Sequence, residues 1–262
     1  MLEFTFRTGP PAQGAPGGSR TVPSAEEFAG GAGPASLAED ETVFFVHVPK
    51  CAGSAFRSVL KRWYGAGRMA IDTHDPETFR EQLAQQAAPP KAVCGHFPFG
   101  IHVGSGCEPY YLSLVRDPVE RLASLYKHAR AMPDHLFHPA AAALDFKAFY
   151  ELTLTEPRAR RATVGIQCFF LGRTRRFDAA WPVIEANYRL AAPTDQFDRF
   201  LDRAARLVGQ PAPDAPMQNR RPSDPALADA VADLEPRIRQ DHCEDQLLYD
   251  HVRAAFAATD ED

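Results

Sequence analysis

The chain has 262 residues, 45% of them hydrophobic, and 29 Lys and Arg stand against 34 Asp and Glu for a formal net charge of −5. That length can bury one sizeable core, and the acidic balance argues against nucleic acid as a partner. No run of about 18 apolar residues offers a membrane span, and no basic stretch leads into an apolar one as in a secretory leader.

Residues 1–40 are rich in Gly, Pro, Ala and Ser and poor in bulky apolar groups, so they read as a flexible tail ahead of one domain, 41–262. The first strand is expected near 42–48, where Val43–Val48 is apolar, β-branched and aromatic. It breaks at Pro49 into Lys50, Cys51, Ala52, Gly53, Ser54 and Ala55. Phe56, Val59, Leu60 and Trp63 then follow at i, i+3, i+4 and i+7, one apolar face of a helix near 54–64. A strand turning through a lysine-bearing loop into a helix suits a phosphate, because loop amides and the helix N-terminus point at the anion. The spacing is not that of a Walker A loop, which disfavours an ordinary ATPase or GTPase. The plainer reading is a buried strand, a turn and a lysine that reaches solvent.

A helix is expected near 76–87 and a strand near 91–95, ending in Gly95-His96. Tyr110–Val115 reads as another buried strand, near 110–115. Asp117 is then a good N-cap, Pro118 suits the first helical position, and Glu120 completes a capping-box-like start for a helix near 118–131. Arg116 falls at the strand end, where open α/β sheets bind ligands. On the helix, Arg121, Ser124 and His128 share one face, and Leu122, Leu125 and Tyr126 occupy the face that packs. Arg116 and Ser124 would offer a guanidinium and a hydroxyl to a terminal phosphate. Otherwise Arg116 pairs with Asp117 or Glu120 and Ser124 only fills the helix. Helices near 145–153 and 178–187, a strand near 188–192, a packing helix Asp195–Val208 and a terminal helix Asp241–Ala258 complete the pattern. Strands alternating with helices predict an α/β fold with a central parallel sheet flanked by helices.

His47-Val48-Pro49-Lys50-Cys51-Ala52-Gly53-Ser54 and Arg116-Asp117-Pro118-Val119-Glu120-Arg121-Leu122-Ala123-Ser124 resemble, in order and separation, the two signatures of the carbohydrate-type sulfotransferases (heparan sulfate 2-O- and Golgi-type) that use 3′-phosphoadenosine 5′-phosphosulfate, PAPS. The resemblance runs more loosely from about residue 41 to the C-terminus. It implies the P-loop-NTPase-like sulfotransferase fold and transfer of a sulfuryl group from PAPS to an acceptor hydroxyl, releasing PAP. It further implies that Lys50 through Ala55 wrap the 5′-phosphosulfate, with Lys50 beside the leaving oxygen, and that Arg116 and Ser124 hold the 3′-phosphate. Relatives place an Asn-containing loop over the donor, which marks Asn219, Arg220 and Arg221 in the proline-rich stretch Pro211–Pro225; an interhelix connection is the other reading. No metal is required where lysine and amides supply the charge.

Family members carry a Gly-His at the place of Gly95-His96, and some use that histidine as general base. An unperturbed imidazole can accept a hydroxyl proton near neutrality, so His96 is the candidate base; the other reading is a histidine that bonds a backbone carbonyl. His102, His47, Glu108, Asp72 and His74 are weaker candidates. Arg158, Arg160 and Arg161, and Arg173, Arg175 and Arg176, flank Gly165–Gly172, a segment resembling one near the family's acceptor cleft. They read equally as acceptor contacts or as a solvated basic face. Five cysteines without C-x-x-C spacing fit reduced thiols in a cytoplasmic protein. The expected partner is a small-molecule or glycan acceptor bearing a hydroxyl. A phosphoryl-transfer enzyme, or a non-catalytic nucleotide- or glycan-binding protein on the same fold, is the alternative.

Overall fold

The computed structural model describes residues 37–258 apart from 66–68, 72, 74, 87 and 213–223. Asp72, His74, Asn219, Arg220 and Arg221 lie outside the described residues.

Among the described residues, five strands form one parallel sheet: β1 (Glu41–Val46), β2 (Met69–Ile71), β3 (Ala92–Gly95), β4 (Glu108–Val115) and β5 (Tyr188–Pro193), in the order β2-β3-β1-β4-β5. Every residue of β1 and β3 is buried, as is β4 from Tyr110 onward. Continuous apolar runs of this kind belong to strands covered on both faces. From β1 the chain runs to β2 and β3 on one side and then crosses to β4 on the other. The reversal leaves a crevice at the C-terminal ends of β3, β1 and β4, where open α/β sheets bind ligands.

The helices are α1 (Gly53–Tyr64), α2 (Pro76–Ala84), α3 (Pro118–Ala131), α4 (His138–Ala143), α5 (Phe146–Thr155), α6 (Pro157–Thr163), α7 (Ile166–Gly172), α8 (Phe177–Asn187), α9 (Phe197–Leu207), α10 (Pro225–Asp241) and α11 (Cys243–Ala258). The expected apolar face of α1 is buried through Phe56, Val59 and Leu60. Asp117 caps α3, accepting from the amides of Val119 at 2.9 Å and Glu120 at 3.2 Å. The capping box is only half made, since the Glu120 carboxylate turns to Arg116 instead.

The sequence pattern omits β2, α4, α6, α7 and α10. A three-residue strand and helices of six or seven residues are too short for a period to emerge. The long α10 contains Pro236 and buries only Leu227 and Ile238, so its apolar stripe is thin. Two hydrophobic clusters result, one around the sheet and one joining α3, α4, α5, α6 and α10. Among the described residues, no helix is long and apolar enough to cross a membrane.

Among the described residues two histidines are buried: His47, just past β1, and His242, between α10 and α11. Burial is the main cause that lowers each from 6.5 to about 3; His96, Arg57 and Lys50 add to it at His47, and Arg121 at His242. A depressed histidine leaves the unfolded chain binding more protons than the folded one below pH 6.5, so stability falls as pH drops through that value. Each histidine is expected to cost about 2 kcal/mol between roughly pH 7.5 and pH 5. Urea unfolding at the two pH values checks this, and His242→Asn should show the shallower dependence.

Candidate functional site

The neighbouring strands β3, β1 and β4 deliver His96, the loop from His47 and Arg116 to one edge of the sheet. The turn from β1 into α1 is tightly wound. Cys51 N–H donates to the Val48 carbonyl at 3.1 Å, and Ala55 N–H donates to the Ala52 carbonyl at 3.0 Å. Lys50 (φ 70°) and Ala52 (φ 56°) both adopt the left-handed region. That conformation costs a non-glycine residue on the order of 1–2 kcal/mol, and such residues cluster at ligand sites. The sequence reading of the Lys50–Ala55 loop is therefore narrowed. The Cys51 and Ala55 amides serve the turn itself, and the first amides of a helix, here at Gly53 and Ser54, have no partner within its own hydrogen-bond ladder.

Ala52→Gly should relieve the strain, offset in part by the entropy of glycine. A gain of about 1 kcal/mol, or roughly 2 °C in Tm, is expected by calorimetry.

Gly53 is required by packing. A Cβ there would meet the His47 ring at 1.8 Å, so the imidazole lies against the bare Cα. His47 also packs on His96, with ring centroids 4.1 Å apart. His96 is exposed, and its Nδ1 lies 2.8 Å from the His47 carbonyl oxygen. A carbonyl can only accept, so Nδ1 carries the proton and the neutral ring has its lone pair on Nε2. The two readings of His96 are thus compatible: the carbonyl bond fixes the tautomer that presents Nε2 as a base.

The other acid–base candidates separate. His47 is buried and kept neutral. His102 is lowered to about 4 by burial, and its Nδ1 contacts the Tyr111 hydroxyl at 2.7 Å within an aromatic cluster. Glu108 is exposed at the start of β4, eight residues before Arg116 and so roughly 25 Å away along the strand. It is not at this edge.

Arg116 reaches back to the loop. Its Nη1 donates to the Lys50 carbonyl at 3.4 Å, while Nε donates to Glu120 at 3.2 Å. Asp117 is taken by Arg239, whose Nη1 lies 2.7 Å from Oδ2, so of the two acids offered as partners only Glu120 pairs with Arg116. Ser124 is half-buried, two turns into α3.

Arg121 is the most deeply buried residue of the face it shares with Ser124 and His128: it is 1% exposed and donates from Nη2 to the Thr163 carbonyl at 2.6 Å, while Ser124 and His128 are half-buried. Beside it, Asp245 is fully buried and accepts from the amides of Ile166, Gln167 and Cys168.

The flanking arginines are mostly structural. Arg160 donates to the Leu154 carbonyl, Arg175 to those of Val164 and Arg161, and Arg173 to that of Phe99, while Arg176 pairs with Asp178 at 2.8 Å.

Two contributors escaped the sequence reading. Gln167 is buried against Arg116 and Cys51. His135, in the turn between α3 and α4, packs edge-on against His128 with centroids 5.2 Å apart. Burial lowers its pKa first, and the charges of Lys50 and His138 add to that. Only the fold brings residue 135 toward residue 50. Met132 and Leu136, at 45% and 43% exposure, flank His135 in the same turn.

Residues 35–166, half of the chain, match the model described as the Sulfotransferase family. No curated protein is detectably similar in sequence. Solved sulfotransferase structures resemble the chain, two of them as follows. Mouse sulfotransferase SULT7A1 complexed with PAP aligns with a TM-score of 0.45 at 16% identity, over 76% of this chain and 64% of the mouse chain. A sulfotransferase from Alicyclobacillus acidocaldarius aligns with a TM-score of 0.44 at 16% identity, over 81% of this chain and 96% of the other. The chain thus spans just under two thirds of the mouse protein's length.

Proposed function

The chain belongs to the sulfotransferase family, and from that premise we propose that it transfers a sulfuryl group from PAPS to an acceptor hydroxyl, releasing PAP. The observation that carries the reading is the contact between the two motifs: Arg116 Nη1 lies 3.4 Å from the Lys50 carbonyl. A cation for one phosphate thereby stands against the loop built for another. Two separate anion sites on one ligand match a nucleotide phosphorylated at both the 3′ and 5′ positions.

When bound, PAPS supplies an activated sulfuryl group whose departure leaves charge on a phosphate oxygen. The residues present fit such a group. Lys50 and the amides at the start of α1 offset developing negative charge at fixed positions, with no reorganisation during the reaction. Arg116 and Ser124 hold the 3′-phosphate, and the guanidinium supplies paired, charge-assisted hydrogen bonds. His96 Nε2 takes the acceptor proton, its tautomer held by the His47 carbonyl. The acceptor is a sugar or another small alcohol presented to His96 Nε2.

Thermal-shift titration tests the donor. PAP at about one hundred times its Kd should stabilise the protein by about 2.7 kcal/mol. Stabilisation by ATP with Mg²⁺ and none by PAP would sink the reading in favour of phosphoryl transfer. Arg116→Ala should weaken PAP by roughly 10- to 100-fold in isothermal titration and 5′-AMP, which lacks the 3′-phosphate, by much less. Transfer of radiolabelled sulfate from PAPS across a panel of hydroxyl acceptors distinguishes an enzyme from a binding protein.

A further inference from the structure

We propose that Gln167 is a positioning residue for the donor, fixing Arg116 relative to the Lys50–Ala55 loop; this rests on the donor reading above. Arg116 follows the last residue of β4, where ladder pairing with β5 stops at Val115↔Pro193. Its backbone groups therefore need partners from elsewhere. Gln167 provides both: Arg116 N–H donates to Oε1 at 2.8 Å, and Nε2 donates to the Arg116 carbonyl at 2.8 Å. The carboxamide thus replaces a missing strand.

The same Oε1 accepts from the Cys51 thiol at 3.4 Å. Burial pushes that thiol up to about 12, so it stays protonated and able to donate. One buried amide therefore ties the loop after β1 to the end of β4. Gln167 is itself held. It is fully buried at the start of α7, and the amides of Ile166, Gln167 and Cys168 donate to Asp245 from α11 at 3.1, 3.0 and 3.1 Å. The segment that resembles an acceptor-cleft element is thereby tied to both motifs.

The test compares PAP with 5′-AMP, since only PAP carries the phosphate that Arg116 would bind. Gln167→Met keeps the volume and removes all three bonds. It is expected to weaken PAP about tenfold, with the KM for PAPS rising in step, while 5′-AMP changes less than about threefold. In an Arg116→Ala background the same substitution should cost PAP less than about twofold, because the group it positions is gone. Equal weakening of PAP and 5′-AMP, or the same loss in both backgrounds, would assign Gln167 to packing alone and overturn the proposal. Should Gln167→Met not fold, Gln167→Glu decides. Its protonated carboxyl can both accept and donate as the amide does, and its carboxylate cannot donate. PAP affinity relative to the parent protein at the same pH should therefore be higher near pH 5.5 than near pH 7.5; no difference overturns the proposal. A parent protein that fails to bind PAP would instead refute the donor reading, so the two failures are distinguishable.

Discussion

Lys50→Met is expected to lower kcat by about 10²- to 10³-fold, with a smaller loss of PAP affinity. The loop and its strain should survive, since the conformation of residue 50 is held through the backbone: its carbonyl accepts from Arg116 and the turn closes through Cys51 N–H. What disappears is a charge that His47 and His135 both feel. A charge so placed matters most when negative charge appears on the leaving oxygen. Lys50→Arg should restore little, because a planar fork does not replace a compact ammonium on a flexible stem. Single-turnover transfer from PAPS, alongside PAP titration, separates the two effects. If Lys50→Met kept kcat within about threefold of the parent while binding PAP poorly, Lys50 would be a ground-state contact only.

His96→Ala should lower kcat by about 10²- to 10⁴-fold and leave PAP affinity nearly unchanged. A base must be neutral to accept a proton. In the parent protein kcat therefore rises with pH through the apparent pKa of the base, and His96→Ala should erase that limb. His96→Gln offers a control, since its amide can still donate to the His47 carbonyl while lacking a titratable nitrogen. If His96→Gln retained both the rate and the limb, the histidine would be structural. The next imidazole to test would then be that of His135, which also stands within reach of the Lys50 charge.

Much of this was legible in the chain because it is local. Val43–Val48 reads as a buried strand, Phe56, Val59 and Leu60 as the inner face of α1, and Asp117-Pro118 as a helix start; the last two are found so, and the strand is found buried but ends at Val46. Side-chain directions were harder. Arg121 lies in register with Ser124 and His128 on a helical wheel, yet its bond to the Thr163 carbonyl holds its guanidinium inward. The helix α3 is flanked on more than one side by α4, α5, α10 and α11, so its outer face is narrower than periodicity alone predicts. Gly53 illustrates the reverse case. Its place in the motif is visible in the sequence, but the reason for it is the imidazole of His47, seen only in three dimensions.

By itself the sequence determined the parallel α/β pattern, the lysine-bearing loop between strand and helix, and an arginine at a second strand end. These are properties of contiguous residues, set by backbone preference and by the spacing of apolar side chains. Tertiary structure alone decided that β1 lies between β3 and β4, which brings His96, Lys50 and Arg116 to one edge. It also decided that Gln167, more than a hundred residues beyond Cys51, joins the two motifs with one buried amide. Such contacts come from strand order and from the need of each buried polar group for a partner, and neither is written in a local period.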